Sequence, residues 1–68
     1  MGHTCEFVYL PTDVGTIRLD IYHKHSLFHV QAELNNILAS SYDRVKVEAV
    51  KKAILQLAKE YQAFGRPE

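Results

Sequence analysis

The 68-residue sequence predicts a small α+β domain in which a β-hairpin is followed by two antiparallel α-helices, in the order ββαα. Three observations indicate this fold class. Apolar and polar residues alternate over residues 16–23, as they do in a half-buried strand. Residues 11–15 combine Pro, Asp and Gly, which is typical of a turn. Farther along the chain, apolar residues recur every three or four positions, which is the period of an amphipathic helix.

The predicted hairpin pairs a strand over about residues 4–10 with a strand over about residues 16–23. The first strand is rich in aromatic and β-branched residues, which favour extended structure. If Leu10 lies opposite Ile17, one face of the hairpin is aliphatic and the other carries aromatic and charged side chains. A register shifted by one residue reverses the faces of the first strand, and the turn alone does not decide between the two registers.

The first predicted helix spans about residues 27–39, with Ser26 as its N-cap. Its apolar positions keep the helical spacing and are Leu27, Val30, Leu34 and Ile37. Residues 40–43, Ser-Ser-Tyr-Asp, should end this helix because Ser and Asp side chains compete with helical hydrogen bonds. The apolar positions change phase across this break, so we expect the second helix to fold back against the first.

The second predicted helix spans about residues 44–64 and carries the longest apolar seam in the chain. The seam consists of Val47, Val50, Ile54, Leu57, Tyr61 and Phe64. Gly65 and Pro67 then provide a helix end. An isolated helix of this length is marginal in water, so the seam must pack on another part of the chain or on a second copy.

Length and composition favour one globular domain over residues 1–68 that needs additional stabilisation. Domains of this size commonly rely on disulfides, a metal or oligomerisation. The single cysteine excludes a disulfide within the chain. Eight basic and eight acidic residues cancel, so no overall field attracts nucleic acid or an anionic membrane.

The expected setting is the cytoplasm. No apolar run approaches the length of about 18 residues that a membrane span requires. The N-terminal residues do not resemble a secretory signal, and an unpaired cysteine fits a reducing compartment.

Three histidines, His23, His25 and His29, lie within seven residues, and Cys5 could approach them across the hairpin. Imidazole and thiolate groups are zinc ligands, so one alternative function is a metal-binding domain with zinc as cofactor. Other interpretations are solvated histidines at a strand–helix junction or an interface that responds to pH. Cys5 and His23 are the only candidate pair of nucleophile and base, and we expect no enzymatic activity because so small a domain rarely forms a deep pocket.

A second alternative comes from the order of strand, helix, turn and helix. Residues 17–21, Ile-Arg-Leu-Asp-Ile, and residues 45–54, which open the second predicted helix, give the chain a pattern that resembles the ribbon-helix-helix family of dimeric DNA-binding repressors. The resemblance implies that the strand pairs with its copy in a second chain and that its outward side chains read the major groove. DNA binding would further require a basic surface formed by Arg18, Lys46, Lys51 and Lys52.

The expected function is that of a small interaction or regulatory module that acts as a homo-oligomer. Several apolar residues lie away from the predicted core positions, and a hairpin with two helices cannot cover them all. They are Phe7, Tyr9, Tyr22, Phe28, Leu38 and Leu55. A two-fold dimer would bury these residues, so the expected partner is a second copy or, failing that, another protein.

Overall fold

The computed structural model describes residues 4–65, with side chains described over residues 5–62. The elements in chain order are β1 (Thr4–Thr12), β2 (Gly15–Lys24), β3 (Leu27–Leu34), β4 (Ile37–Asp43) and α1 (Lys46–Gly65). The strands form one antiparallel sheet in the order β1-β2-β3-β4. The described fold is therefore ββββα, and the predicted ββαα order with two helices is wrong.

The first hairpin agrees with the sequence prediction, and both strands are slightly longer than expected. Leu10 pairs with Ile17, so the register is the one that places the aliphatic residues on a single face. The turn needs Gly15, whose φ of 145° is strained for other residues. A Cβ atom at this position would also lie 3.2 Å from the Asn35 Oδ1 atom.

The second hairpin, β3 and β4, replaces the predicted first helix over residues 27–39. The misassignment has a physical origin, because Val30 and Leu34 fit both the helical spacing and the alternation of a strand. The decisive signal is Asn35–Asn36, a two-residue turn in which both residues have positive φ, 51° and 73°. Asn tolerates this conformation, and such turns match the twist of a β-hairpin.

The turn between β2 and β3 is also a two-residue turn, formed by His25 and Ser26. Their φ angles are 54° and 63°. Ser26 therefore does not cap a helix, as the sequence had suggested, but holds the chain in a tight reversal. His is found in this conformation more often than most residues, whereas Ser is not favoured there, so the backbone strain of the turn lies mainly at Ser26.

The helix packs on one face of the sheet, which we call the inner face, mainly against β3 and β4. The buried core between them consists of Leu19, Ile21, Val30, Ala32, Leu34, Ala39, Ala49, Ala53 and Leu57. Four of these nine residues are alanines. Their small side chains allow the helix backbone to approach the sheet closely.

Helix α1 confirms the predicted helix over residues 44–64, but only part of the predicted apolar seam is buried. Ala49, Ala53 and Leu57 are buried, whereas Val47 is 58% exposed and was wrongly placed in the seam. The larger Val50 and Ile54 are only half-buried and pack beside the alanines. The predicted seam residue Phe64 lies outside the described side chains.

The predicted break over residues 40–43 is the last part of β4 and the approach to the helix. The Asp43 carboxylate accepts hydrogen bonds from the Val45 amide at 2.9 Å and from the Lys52 ammonium at 2.7 Å. The Ser41 hydroxyl donates to the Ala49 carbonyl at 2.6 Å. Ser and Asp thus begin the long helix here and do not end a preceding one.

The fold predicts that Leu57→Ala lowers the free energy of unfolding by about 2–5 kcal/mol, because it leaves a cavity where the helix meets the sheet. Leu55→Ala is the matched control, since this leucine is 63% exposed. Its effect should stay within about 0.5 kcal/mol. Urea denaturation measures both values, and equal losses for the two variants would show that the helix is packed in another orientation.

The helix start should make stability depend on pH. The hydrogen bonds from Lys52 and the Val45 amide lower the pKa of Asp43 below its ordinary value of 3.8. This carboxylate therefore stabilises the fold at pH values above 3.8, and the contribution is lost as the pH falls through the lowered pKa. Asp43→Asn should reduce the melting temperature at neutral pH, and its difference from the wild type should shrink in strong acid.

The matched control for this experiment is Asp13→Asn in the exposed first turn. It should melt like the wild type at neutral pH. Thermal unfolding monitored by circular dichroism measures all three proteins across the pH range. A difference between Asp43→Asn and the wild type that stays constant down to the most acidic pH would contradict the role of the Asp43 carboxylate.

Candidate interaction surface

The face of the sheet that points away from α1, which we call the outer face, is built from every second residue of the four strands. It consists of Cys5, Phe7, Tyr9, Arg18, Asp20, Tyr22, His29, Gln31, Glu33, Leu38, Ser40 and Tyr42. Within residues 4–65, no second helix packs on it. This face carries most of the large side chains that the core does not use.

Aromatic rings form a row across the outer face. Tyr22 pairs with His29, and His29 pairs with Tyr42, on three consecutive strands. The His29 and Tyr42 rings stack with centroids 4.2 Å apart and planes at 8°. The Tyr22 ring lies 5.7 Å from His29 at a tilt of 34°. Cross-strand ring pairs of this kind stabilise a sheet and give it a rigid aromatic surface.

Apolar side chains around this row remain open to solvent. Phe7, Tyr9 and Leu38 are 61%, 63% and 67% exposed. Phe7 and Tyr9 are neighbours on β1, and Leu38 is on β4, on the other side of Arg18 and Glu33. Several exposed apolar side chains on one face mark a candidate interaction site, whereas single exposed leucines are ordinary.

A charged group lies at the centre of the outer face. The Arg18 Nη2 atom is 3.3 Å from the Asp20 Oδ2 atom and 3.8 Å from the Glu33 Oε1 atom. The Asp20 carboxylate raises the pKa of the Arg18 guanidinium above its ordinary value. Asp20 is only 7% exposed, and its Oδ1 atom accepts no hydrogen bond from the described residues. A buried acceptor without a donor is costly, which makes this carboxylate sensitive to any group that covers the face.

Tyr22 remains a neutral hydrogen-bonding group near physiological pH. Its burial raises the pKa of the phenol above the ordinary value of 10.0, and the neighbouring Cys5 and Asp20 raise it further. Cys5 is exposed and pairs with Tyr22 across the first hairpin. The outer face therefore offers a phenol and a thiol at the end of its aromatic row.

An open cleft of about 690 Å³ occupies one end of the outer face, next to the turn between β2 and β3. We call it the aromatic cleft, and it is lined by Tyr22, Lys24, His25, Leu27, His29, Gln31 and Tyr42. Its walls are the stacked rings, and its rim carries one ammonium group. The described lining contains no carboxylate.

The structure gathers four of the six predicted interface residues on the outer face: Phe7, Tyr9, Tyr22 and Leu38. Phe28 lies on the inner face, where it packs against the core and stacks on His23 at 4.1 Å. Leu55 is exposed on the helix, on the other side of the molecule from the outer face.

The predicted metal ligands do not come together. His23 and His29 lie on opposite faces of the sheet, because His23 stacks on Phe28 and His29 stacks on Tyr42. His25 is in the turn, and Cys5 is on the outer face. No group of three or more His, Cys, Asp or Glu side chains suited to a metal occurs in the part of the chain that the structure describes.

The arrangement implied by the ribbon-helix-helix resemblance is not formed. Strand β2 is paired on both sides, with β1 and β3, so it cannot pair with its copy as a two-stranded ribbon. The predicted basic surface is also divided, since the sheet separates Arg18 from the lysines of the helix. Lys46 pairs with Glu6, Lys51 with Glu48, and Lys52 with Asp43.

Comparison with known proteins finds no match: no family model, no curated protein and no solved structure is significantly similar to this chain. Within residues 4–65, the helix is not long and apolar enough to cross a membrane.

Sequence reasoning missed the roles of His29, Tyr42 and Asp20. A helix over residues 27–39 places His29 near a helix end and separates it from Tyr42. The alternation of Phe28, Val30 and Ala32 with polar residues, followed by Asn35–Asn36, was the signal that could have placed them correctly.

The charged centre predicts a non-additive mutational effect. Arg18→Gln should lower the melting temperature, because it leaves the buried Asp20 carboxylate without its cation. Asp20→Asn in the Arg18→Gln background should restore part of the loss, since it removes the uncompensated charge. Thermal unfolding of the wild type, both single variants and the double variant measures the coupling. Additive effects would contradict the pairing.

Proposed function

We propose that the protein is a small non-enzymatic interaction module that self-associates through its outer face as a two-fold dimer. The observation that carries the proposal is the exposure of Phe7, Tyr9 and Leu38 on the face of the sheet that points away from the helix. A second copy packed face to face would bury these side chains, as the two sheets of a β-sandwich do at a spacing of about 10 Å.

The size of the outer face supports this proposal. Four strands of this length span roughly 19 Å by 27 Å, a projected area of about 500 Å². The accessible surface of protruding side chains is larger than the projection. Specific interfaces bury about 600–1,000 Å² on each partner, so the outer face is large enough for a dimer that uses most of it.

The charges of the outer face favour a second copy over a strongly charged partner. The face carries Arg18 beside Asp20 and Glu33, and Arg18 and Glu33 are both partly exposed. A two-fold axis through this region can bring Arg18 of one copy near Glu33 of the other. The whole chain has no net charge, so two copies do not repel each other overall.

Catalysis is not part of the proposal, because Cys5 and His23, the predicted nucleophile and base, lie on opposite faces of the sheet. The proposed setting is the cytoplasm, where reducing conditions keep an exposed thiol such as Cys5 unpaired. Another protein with a complementary apolar surface is a second candidate partner for the same face.

Sedimentation at micromolar concentration tests the self-association. We expect a species near twice the chain mass of 7.8 kDa. Phe7→Ser should shift the protein towards the monomer, because it removes an exposed apolar ring from the outer face. Leu55→Ser is the matched control, since Leu55 is as exposed as Phe7 but lies on the helix. It should sediment like the wild type.

Two outcomes would contradict the proposal. One is a wild-type protein that remains monomeric well above micromolar concentration. The other is a dimer that Leu55→Ser dissociates and Phe7→Ser does not, which would place the contact on the helix.

A further inference from the structure

We propose that the aromatic cleft binds a small planar aromatic anion, meaning a flat ring system that carries one carboxylate or phosphate group. The cleft is formed within a single chain, so this inference does not rest on the proposed dimer. A dimer that covers most of the outer face would compete with the ligand for the cleft. Its volume of about 690 Å³ is in the range of small-molecule sites, about 300–1,000 Å³.

The ring walls determine the shape of the ligand. His29 and Tyr42 form an almost parallel pair, and Tyr42 is 56% exposed, so one face of its ring is open to solvent. Leu27 is also partly exposed at the cleft. A flat aromatic group can pack against the ring row and Leu27 inside the cleft, whereas a compact aliphatic group would leave part of this surface exposed to water.

The charge of the lining determines the sign of the ligand. Lys24 and His25 supply positive or hydrogen-bonding groups at the rim, and no carboxylate lines the cleft among the described residues. The Lys24 ammonium forms no ion pair with any described residue. In contrast, the Arg18 guanidinium at the centre of the outer face is already paired with acidic groups. An anion therefore finds its best partner at Lys24.

The strained turn supports the same conclusion. His25 and Ser26 both have positive φ, whereas the equivalent turn between β3 and β4 uses two asparagines, which tolerate this conformation better. Strained backbone often occurs at functional sites. The turn also brings the His25 imidazole to the cleft, next to Lys24 in the chain, where it can donate a hydrogen bond to the same anionic group.

Two sources of this ligand chemistry can be distinguished with simple probes. Indole-3-acetate represents an aromatic carboxylate, and adenosine monophosphate represents a nucleotide. Indole-3-ethanol and adenosine have the same rings without the charge, and inorganic phosphate has the charge without a ring. Titration of the isotope-labelled full chain, followed by amide chemical shifts, reports both affinity and location.

We expect saturable shifts from at least one of the two anions, concentrated in residues 22–31 and at Tyr42. The corresponding neutral probe should bind about tenfold more weakly, the loss expected for one charge-assisted contact. Phosphate alone should bind more weakly than adenosine monophosphate. The anion that binds more tightly identifies the source of the ligand.

Lys24→Gln should weaken binding of the anion about tenfold and leave the neutral probe unchanged. Lys59→Gln, which removes an exposed lysine from the helix, is the matched control and should bind like the wild type. Phe7→Ser should retain binding, since Phe7 does not line the cleft. This variant separates the cleft from the dimer, because it should lose self-association and keep the ligand.

The inference is overturned if neither anion shifts these residues at millimolar concentration. It is also overturned if each neutral probe binds as tightly as its anion, or if the shifts lie on the helix. The amide spectrum of each variant shows directly whether it is folded, so a loss of binding can be assigned to the cleft.

Discussion

The close contact between one helix and one face of the sheet is the constraint on which the rest of the structure depends. Ala49 and Ala53 bring the helix near Ala39 on the sheet, and the Ser41 hydroxyl bonds to the helix carbonyl of Ala49. Small residues on both sides allow the helix backbone to lie close to the sheet. The helix is centred over β3 and β4, where Leu57 is buried with the alanines, and Val50 and Ile54 lie at the margins of the contact.

A single helix covers only one side of a sheet, so the outer face must be stabilised by its own side chains or by a partner. Some outer-face side chains are stabilised by neighbours on the same face, and others remain exposed. Arg18 neutralises the buried Asp20, and the Tyr22, His29 and Tyr42 rings pack along the sheet. Phe7 and Leu38 have no comparable cover. The outer face thus has a neutralised charged centre, exposed apolar side chains and a cationic cleft at one end. These features are the basis for the two proposed roles.

The sequence allowed the hairpin and the long helix to be predicted, because each had a signal that fits one structure only. Strict alternation identified β2, and the Pro-Asp-Gly turn placed β1 opposite it. Residues 27–39 were assigned wrongly because Val30 and Leu34 fit both the helical spacing and the alternation of a strand. The strand interpretation required the Asn35–Asn36 turn to be given more weight than the helical spacing. The sequence did identify apolar residues that lie away from the predicted core, among them Phe7, Tyr9, Tyr22 and Leu38. That these four share one face could not be predicted, because it requires the four-stranded sheet. The cleft was not predictable, since it requires residues of β2, β3 and β4 to lie side by side.

The most direct measurement is an isotope-filtered nuclear Overhauser experiment on a mixture of labelled and unlabelled chains, which detects contacts between copies only. If the outer face is the site of self-association, contacts between copies should involve Phe7, Tyr9 and Leu38, with Leu55 and Val47 silent. Contacts between copies that involve the helix residues instead would contradict the assignment of the outer face, and so would their complete absence at concentrations where the wild type sediments as a dimer.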